Sequence, residues 1–216
     1  MAIPPTGRIS VKSDIATPAV YSCRMKRKDM DIETITKAFD LMGRYLRERN
    51  TIGEIAVYGG SAILLQFPWR KSTEDVEATF GKPEASVKDA AAFAAIELRL
   101  PDAWLNNSVG SFTPEVEEED FFVLFGDYPR GEKSGLRVCL AKPEYLIAMK
   151  LKALVRDSYD DKDFGDIAGP AVEARIETAA QLNDLFASFF PEEKLDPVAA
   201  ARIPEAVEAI RARKPR

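Results

Sequence analysis

Two acidic residues, Asp75 and Glu77, are separated by one residue in a segment where polar and apolar residues alternate. Side chains on a β-strand point to alternate faces, so the two carboxylates are predicted to lie on the same face. Such a pair can bind a divalent cation, which stabilises the charge that develops in phosphoryl and nucleotidyl transfer. The same spacing also occurs on solvated strand faces, so the acid pair by itself does not distinguish the two.

A glycine turn precedes the acid pair, with Gly60 lying 15 residues before Asp75. Gly59, Gly60 and Ser61 stand between an apolar strand predicted over 53–58 and a short apolar helix predicted over 61–65. Backbone N–H groups at such a turn can approach a phosphate at the positive end of the helix, and the Ser61 hydroxyl adds a donor. The alternative is a tight turn that needs glycine for its backbone geometry. The glycine turn and the acid pair together indicate a nucleotide site.

Composition narrows the chemistry further. The 216 residues include no histidine, which excludes Ser/His and Cys/His nucleophiles and histidine-bound metals. Any metal would be a hard cation with oxygen ligands, such as Mg²⁺. The two cysteines, Cys23 and Cys139, form no zinc or disulfide pattern, so we expect a reducing cytoplasm. The formal net charge of −5 and the absence of a long apolar run predict no DNA or membrane partner.

The elements that must position these residues follow from periodicity. Residues 1–29 show no sustained pattern and are predicted to be an arm or disordered tail with a basic run at 24–28. Residues 30–140 are predicted to form an α/β core and residues 141–216 a helical region. The predicted strands are 53–58, 75–80, 121–125 and 136–140, with 101–107 as a loop anchored by Trp104. The predicted helices are 32–46, capped by Asp31, then 61–65, 86–98, 145–155, one from about 162, 171–189 after a break at Gly169-Pro170, and 199–213.

Two blocks resemble a known group. The sequence GGSA at 59–62 followed by RKSTEDVE at 70–77 is similar to the motif of nucleotidyltransferases of the AbiEii-like superfamily, which have the DNA polymerase β-like fold. Residues 143–150, Ala153, Arg156 and the K-D-x-x-D sequence at 162–166 are similar to the family's downstream segment, and 101–107 to a W-L-N-D block. The resemblance covers about residues 32–168 and implies an α+β fold: a mixed sheet with flanking helices and a helical C-terminal part.

The resemblance also implies roles for individual residues. Gly59, Gly60 and Ser61 would hold nucleotide phosphate, Asp75 and Glu77 would bind Mg²⁺, and Asp163 would complete the catalytic site. Arg70 would position phosphate and Lys150 would neutralise the triphosphate. The implied function is Mg²⁺-dependent transfer of a nucleoside monophosphate from an NTP to an RNA acceptor such as tRNA, or to a protein. The implied partners are the NTP, tRNA or the cognate protein of a bacterial toxin–antitoxin or phage-defence system.

The chain departs from the family pattern at two positions. Glu77 stands where a second aspartate is usual, and Asn107 stands where the W-L-N-D block has an acid. A longer side chain shifts the carboxylate, and a misplacement of about 1 Å can cost about a hundredfold in rate. These departures motivate the alternative of a catalytically degenerate module that acts by binding a partner protein. A metal-dependent nuclease is a third, weaker hypothesis, since the glycine-serine turn favours nucleotide binding.

Overall fold

A computed structural model describes residues 29–155 and 161–213 of the chain. The fold is α+β, as predicted, with one mixed sheet in the order β3-β2-β1-β5-β4. The predicted arm, except for Asp29, lies outside the described residues, as do the basic run at 24–28 and Arg156. The elements in chain order are α1 (Ile32–Glu48), β1 (Gly53–Val57), α2 (Gly59–Gln66), β2 (Val76–Phe80), α3 (Glu84–Leu98), β3 (Leu105–Asn106), β4 (Phe122–Tyr128), β5 (Leu136–Ala141), α4 (Pro143–Ala153), α5 (Asp161–Glu173), α6 (Ala179–Phe189), α7 (Pro197–Ala201) and α8 (Ile203–Arg213).

Strand β1 lies at the centre of the sheet. It pairs antiparallel with β2 and parallel with β5, while β4 and β5 form an antiparallel hairpin and β3 pairs parallel with β2. Ile55 and Val57 are fully buried, whereas Glu54, which precedes Ile55, is exposed. This alternation is the pattern of a strand with one covered face.

Helices α1 and α3 cover one face of the sheet. Helix α1 is amphipathic and buries residues such as Phe39 and Met42. Asp31 caps it, as predicted, since its carboxylate accepts a hydrogen bond from the Thr34 N–H at 2.8 Å. The other face is covered at one end by α4, where the Tyr145 ring contacts those of Tyr58 and Phe122. The rest of that second face is open.

The region predicted as a loop over 101–107 contains the short strand β3. Its anchor is as predicted, since Trp104 is fully buried and its indole N–H donates to the Ala91 carbonyl at 3.0 Å. Strand β2 begins at Val76, so Asp75 precedes it.

The predicted boundaries in the C-terminal helices were wrong at two places. Helix α5 continues through Gly169 and Pro170 to Glu173, and the chain breaks later, where Arg175 has a left-handed backbone and Thr178 caps α6. Gly169 is required by packing, because a Cβ there would overlap the Trp69 ring. The helix predicted over 199–213 is divided into α7 and α8. Pro204 has no N–H to continue a helical hydrogen bond from α7.

Candidate functional site

The glycine turn between β1 and α2 lies directly against Glu77. Gly59 has a left-handed backbone with φ of 59°, and a Cβ there would overlap the Glu77 carboxylate. Any side chain at position 59 would be strained and would displace Glu77. The structure therefore brings together two of the predicted site residues, one from the turn and one from the acid pair.

Arg70 packs against the second glycine of this turn. A Cβ at Gly60 would overlap the Arg70 guanidinium, which forms an ion pair with Asp166 of α5. The Arg70 side chain is only 9% exposed, and its Nε has no hydrogen-bond partner among the described residues. Burial lowers the pKa of Arg70, and the nearby carboxylates of Asp163 and Glu77 oppose this shift. Arg70 thus connects the glycine turn to Asp166 of α5.

Lys150 of α4 joins the same charge network. Its ammonium group lies 3.1 Å from the Asp163 carboxylate and 3.0 Å from that of Asp166. Burial lowers the pKa of Lys150, while Asp163 and Glu77 act in the opposite direction. Asp166, whose side chain is 4% exposed, therefore bridges both buried cations. The sequence left Asp166 undecided between a contact within its helix and a ligand contact, and the K-D-x-x-D spacing was the signal for it.

Asp163 is therefore brought next to Lys150, and Asp75 lies elsewhere in the site. The Asn106 amide donates to the Asp75 carboxylate at 3.0 Å. Asp75 and Asn106 line a cavity beside Trp104, whereas Glu77 lines the cavity that contains Gly59 and Lys150. The acid pair predicted to act on one cation thus lines two different cavities.

The fit of this site to Mg²⁺ depends on its donor set. Carboxylate oxygens are the ligands that Mg²⁺ prefers, and it commonly uses one or two protein carboxylates together with substrate phosphates. Glu77 supplies such a ligand in the cavity beside Gly59, whereas Asp75, bound by Asn106 in the other cavity, would have to turn to share the same ion. Among residues 29–155 and 161–213, no three acidic or cysteine side chains are grouped so that they could hold a metal by themselves. The donor set is therefore compatible with a magnesium ion held jointly with phosphate.

Ser61 is buried in the turn. Its side chain is 1% exposed, and its hydroxyl donates to the Tyr58 carbonyl at 2.9 Å. In this conformation the hydroxyl stabilises the first turn of α2. A phosphate bound at this turn would therefore depend on the backbone N–H groups at the start of α2.

The cavity beside Glu77 is narrow. It has a volume of about 60 Å³, and Val109, Phe112 and Met149 form apolar walls around Gly59, Glu77 and Lys150. Sites for small ligands commonly have about 300–1,000 Å³. A nucleotide would need a wall of this cavity to move.

A carboxylate that sequence reasoning missed lies on the open side of the sheet. Glu117 accepts hydrogen bonds from the hydroxyl of Tyr58 at 2.9 Å and from that of Tyr145 at 2.6 Å. Both tyrosines are fully buried, and burial raises the pKa of each well above its ordinary value. The run of acids at 115–120 marked this segment, but its spacing gave no indication of which acid turns inward. Through its hydrogen bond to Tyr58, Glu117 holds the loop before β4 against the residue that precedes the glycine turn.

Known proteins give no further guidance on this site. No family model, no curated protein and no solved structure matches the chain. Within the part of the chain that the structure describes, no helix is long and apolar enough to cross a membrane.

Proposed function

We propose that this protein is a Mg²⁺-dependent nucleotidyltransferase of the polymerase β-like fold that moves a nucleoside monophosphate from an NTP to an RNA or protein acceptor in the cytoplasm. The observation that carries the proposal is the packing of the Glu77 carboxylate against Gly59, with Lys150 on the same cavity. A carboxylate, a helix start and a cation at one cavity are the groups that recognise a metal-bound triphosphate.

Each group has a distinct task in the proposed reaction. The amides of Gly59 and Gly60 bind phosphate oxygens, and Lys150 neutralises the departing pyrophosphate. Glu77 would hold Mg²⁺ beside Gly59, and Asp75 would have to turn away from Asn106 to join it as a ligand. The ion would supply charge stabilisation at the phosphates. Arg70 positions the glycine turn through its contact with Gly60 and its ion pair with Asp166. The acceptor oxygen forms a bond to the α-phosphorus as the bond to pyrophosphate breaks, and the proton of the acceptor hydroxyl passes to water.

Nucleotide binding requires the cavity to open. Val109 and Phe112 belong to the 3₁₀ turn after β3 and form the part of the cavity wall that lies outside the α-helices and strands. Motion of such a segment exposes the site to substrate and later excludes water from it. Trp104 lies just before this segment, so its fluorescence is expected to change when an NTP binds with Mg²⁺.

Calorimetric titration of each NTP with and without Mg²⁺ tests the proposal directly. Wild type should bind at least one NTP in a Mg²⁺-dependent way, and Asp75→Asn and Glu77→Gln should lose that binding. Asp89→Asn, which changes an exposed acid on α3, is the matched control and should bind as wild type does. Equal binding by wild type and Glu77→Gln would contradict the proposed metal role of Glu77.

Transfer is tested with labelled NTP, total RNA and protein. Label should appear on one acceptor class, and Asp75→Ala should abolish it. Transfer that persists in Asp75→Ala would contradict the assignment of this carboxylate to the reaction.

A second candidate function is favoured by the pairing of the two cations. Arg70 and Lys150 are both neutralised by carboxylates of α5, so neither presents an uncompensated charge to a phosphate. A catalytically degenerate module that binds the cognate protein of a toxin–antitoxin pair would keep such a network for stability. It predicts no Mg²⁺-dependent binding of any NTP and no labelled product, which is the opposite outcome of the same experiments.

A further inference from the structure

Strand β4 is an edge of the sheet and carries two exposed apolar side chains. Val123 is 45% exposed and Leu124 is 55% exposed. In the β4–β5 register, Val123 lies opposite Leu140, a core residue, and Leu124 lies opposite Cys139 on the open face. The two side chains therefore project from opposite faces at one edge. No strand among the described residues pairs with the outer side of β4.

The charge along this edge changes sign from one end to the other. Exposed acids precede the strand at Glu118, Glu119 and Asp120, and exposed cations follow it at Arg130 and Lys133. Glu132, the acid between those cations, is paired with Arg47 of α1. Asp127, an exposed acid of β4, is likewise paired with Arg137 of β5. The edge is thus negative where β4 begins and has its excess of cations where β4 ends.

Free backbone groups at a sheet edge are a template for another strand. From the apolar pair and the reversed charges, we propose that a second copy of this chain pairs antiparallel along β4, joining both sheets across a two-fold axis. In that arrangement the acidic end of each strand meets the basic end of its mate, and Val123 and Leu124 gain neighbours on both faces. A pairing centred near Phe125 sets Asp120 against the mate's Arg130. The proposal is independent of the proposed enzymatic function.

The charge pattern favours an antiparallel second copy over a parallel copy, a basic peptide or a nucleic acid. A parallel mate would place acids against acids, which costs free energy at an edge. A uniformly basic peptide would match one end and be repelled by the other, and nucleic acid would be repelled by the acidic end. The irregular register between Leu124 and Gly126 twists the strand and limits further stacking of copies. A closed dimer therefore fits the edge better than an open assembly.

Sedimentation velocity of the full chain over a wide concentration series tests the proposal. Wild type should show a reversible monomer–dimer equilibrium. Val123→Lys and Leu124→Lys each act twice in a two-fold dimer, so either should raise the dissociation constant by about a hundredfold. The matched control is Ile96→Lys, which changes a 75% exposed side chain of α3, a helix that packs mainly on α1 and β1. It should dimerise as wild type does.

Charge exchange provides a second readout that does not depend on apolar residues. Glu119→Lys and Lys133→Glu should each weaken the dimer, and the double variant should recover much of the loss because opposite charges again meet. Wild type that remains monomeric at every concentration overturns the proposal. A dimer that withstands both edge lysines but is lost in Ile96→Lys also overturns it, since another surface would then hold the copies together. Circular dichroism of each variant confirms that it is folded.

Discussion

Two regions of the molecule hold their ion pairs in opposite environments. In the buried region, Arg70 after α2 is paired with Asp166 of α5, and their side chains are 9% and 4% exposed. In the open region, Asp127 of β4 and Arg137 of β5 are also paired, at 3.2 Å, but are 41% and 52% exposed. Arg137 lines an open cavity of about 710 Å³ together with Glu54 and other acids. Loss of one charge should therefore be costly in the buried region, whereas water and salt screen the charges of the open region.

The largest effect is expected for Asp166→Ala. The substitution leaves Arg70 and Lys150 buried with only Asp163 and Glu77 nearby to compensate them. Removing one partner of a buried ion pair typically costs about 3–5 kcal/mol. Urea unfolding followed by circular dichroism measures the change in the free energy of unfolding.

Asp163→Ala is the graded comparison for that variant. Asp163 pairs with Lys150 at 3.1 Å but is 34% exposed, against 4% for Asp166, so water can compensate its loss and the cost should be clearly smaller than for Asp166. Equal losses in the two variants would mean that Asp166 is not the bridge between the two cations. Losses below about 1 kcal/mol in both variants would remove the contrast between the buried region around Arg70 and the open region around Arg137.

The second prediction extends the comparison to the C-terminal helices. Trp69 immediately precedes Arg70, stacks under the Arg213 guanidinium at 3.9 Å and lies against Gly169. Gly169→Ala should cost about 1–3 kcal/mol because the added methyl overlaps the Trp69 ring. Thermal and urea unfolding measure this loss.

Gly165→Ala in the same helix is the matched control. A Cβ at Gly165 meets nothing within 4 Å, and alanine is the better helix former by about 1 kcal/mol. This variant should therefore be as stable as wild type or more so. Similar losses in both variants would show that α5 requires glycine for its backbone and that Trp69 is not the cause.

The third prediction concerns the hydroxyls that hold Glu117. Burial raises the pKa of Tyr58 and Tyr145 above the ordinary value of 10.0. A raised pKa in the folded state favours the protonated form, so this stability is complete below about pH 10 and decreases above it, where tyrosines of the unfolded chain ionise. The slope should be about 1.4 kcal/mol per pH unit for each such tyrosine.

Tyr145→Phe separates this effect from general alkaline unfolding. The variant should lose stability at neutral pH, because Glu117 loses a donor at 2.6 Å, but its stability should decrease less steeply above pH 10. Urea unfolding at several alkaline pH values measures both quantities. A slope identical to that of wild type would contradict the assignment of the alkaline transition to this residue.

The sequence predicted the sheet and the glycine turn well because both depend on local patterns. An apolar run identified β1 and alternation identified β2, and Gly59-Gly60 stood at the position where a strand must turn into a helix. The break at Gly169-Pro170 was wrong because the glycine serves a contact with Trp69, a residue 100 positions earlier in the chain. Distant packing of this kind leaves no local signal.

The site was predictable in part for the same reason. The spacing of Asp75 and Glu77 predicted two carboxylates at the glycine turn, and the structure places Glu77 there. The spacing could not show that Asn106 would bind Asp75 in another cavity. The position of Asn106 depends on β3, a strand of two residues that has too few residues for a visible alternation. Glu117 was hidden among neighbouring acids whose side chains stay exposed.

The smallest effect is expected for Asp127→Ala, the exposed counterpart of the first prediction. Its partner Arg137 remains accessible to water after the substitution, so the loss should be about 0–1 kcal/mol and should vanish at high salt. Urea unfolding at low and high ionic strength measures this loss beside that of Asp166→Ala. The cost of Asp166→Ala should persist in salt because the cations left without their partner are shielded from solvent.

A large, salt-independent loss for Asp127→Ala would show that the open region is coupled to the core as tightly as the buried region. In that case the second copy proposed to lie along β4 is the natural cause, because Asp127 belongs to that strand and would be covered by it. Repeating the measurement on Leu124→Lys, which should be monomeric, would then return the loss to the small value of a solvated ion pair.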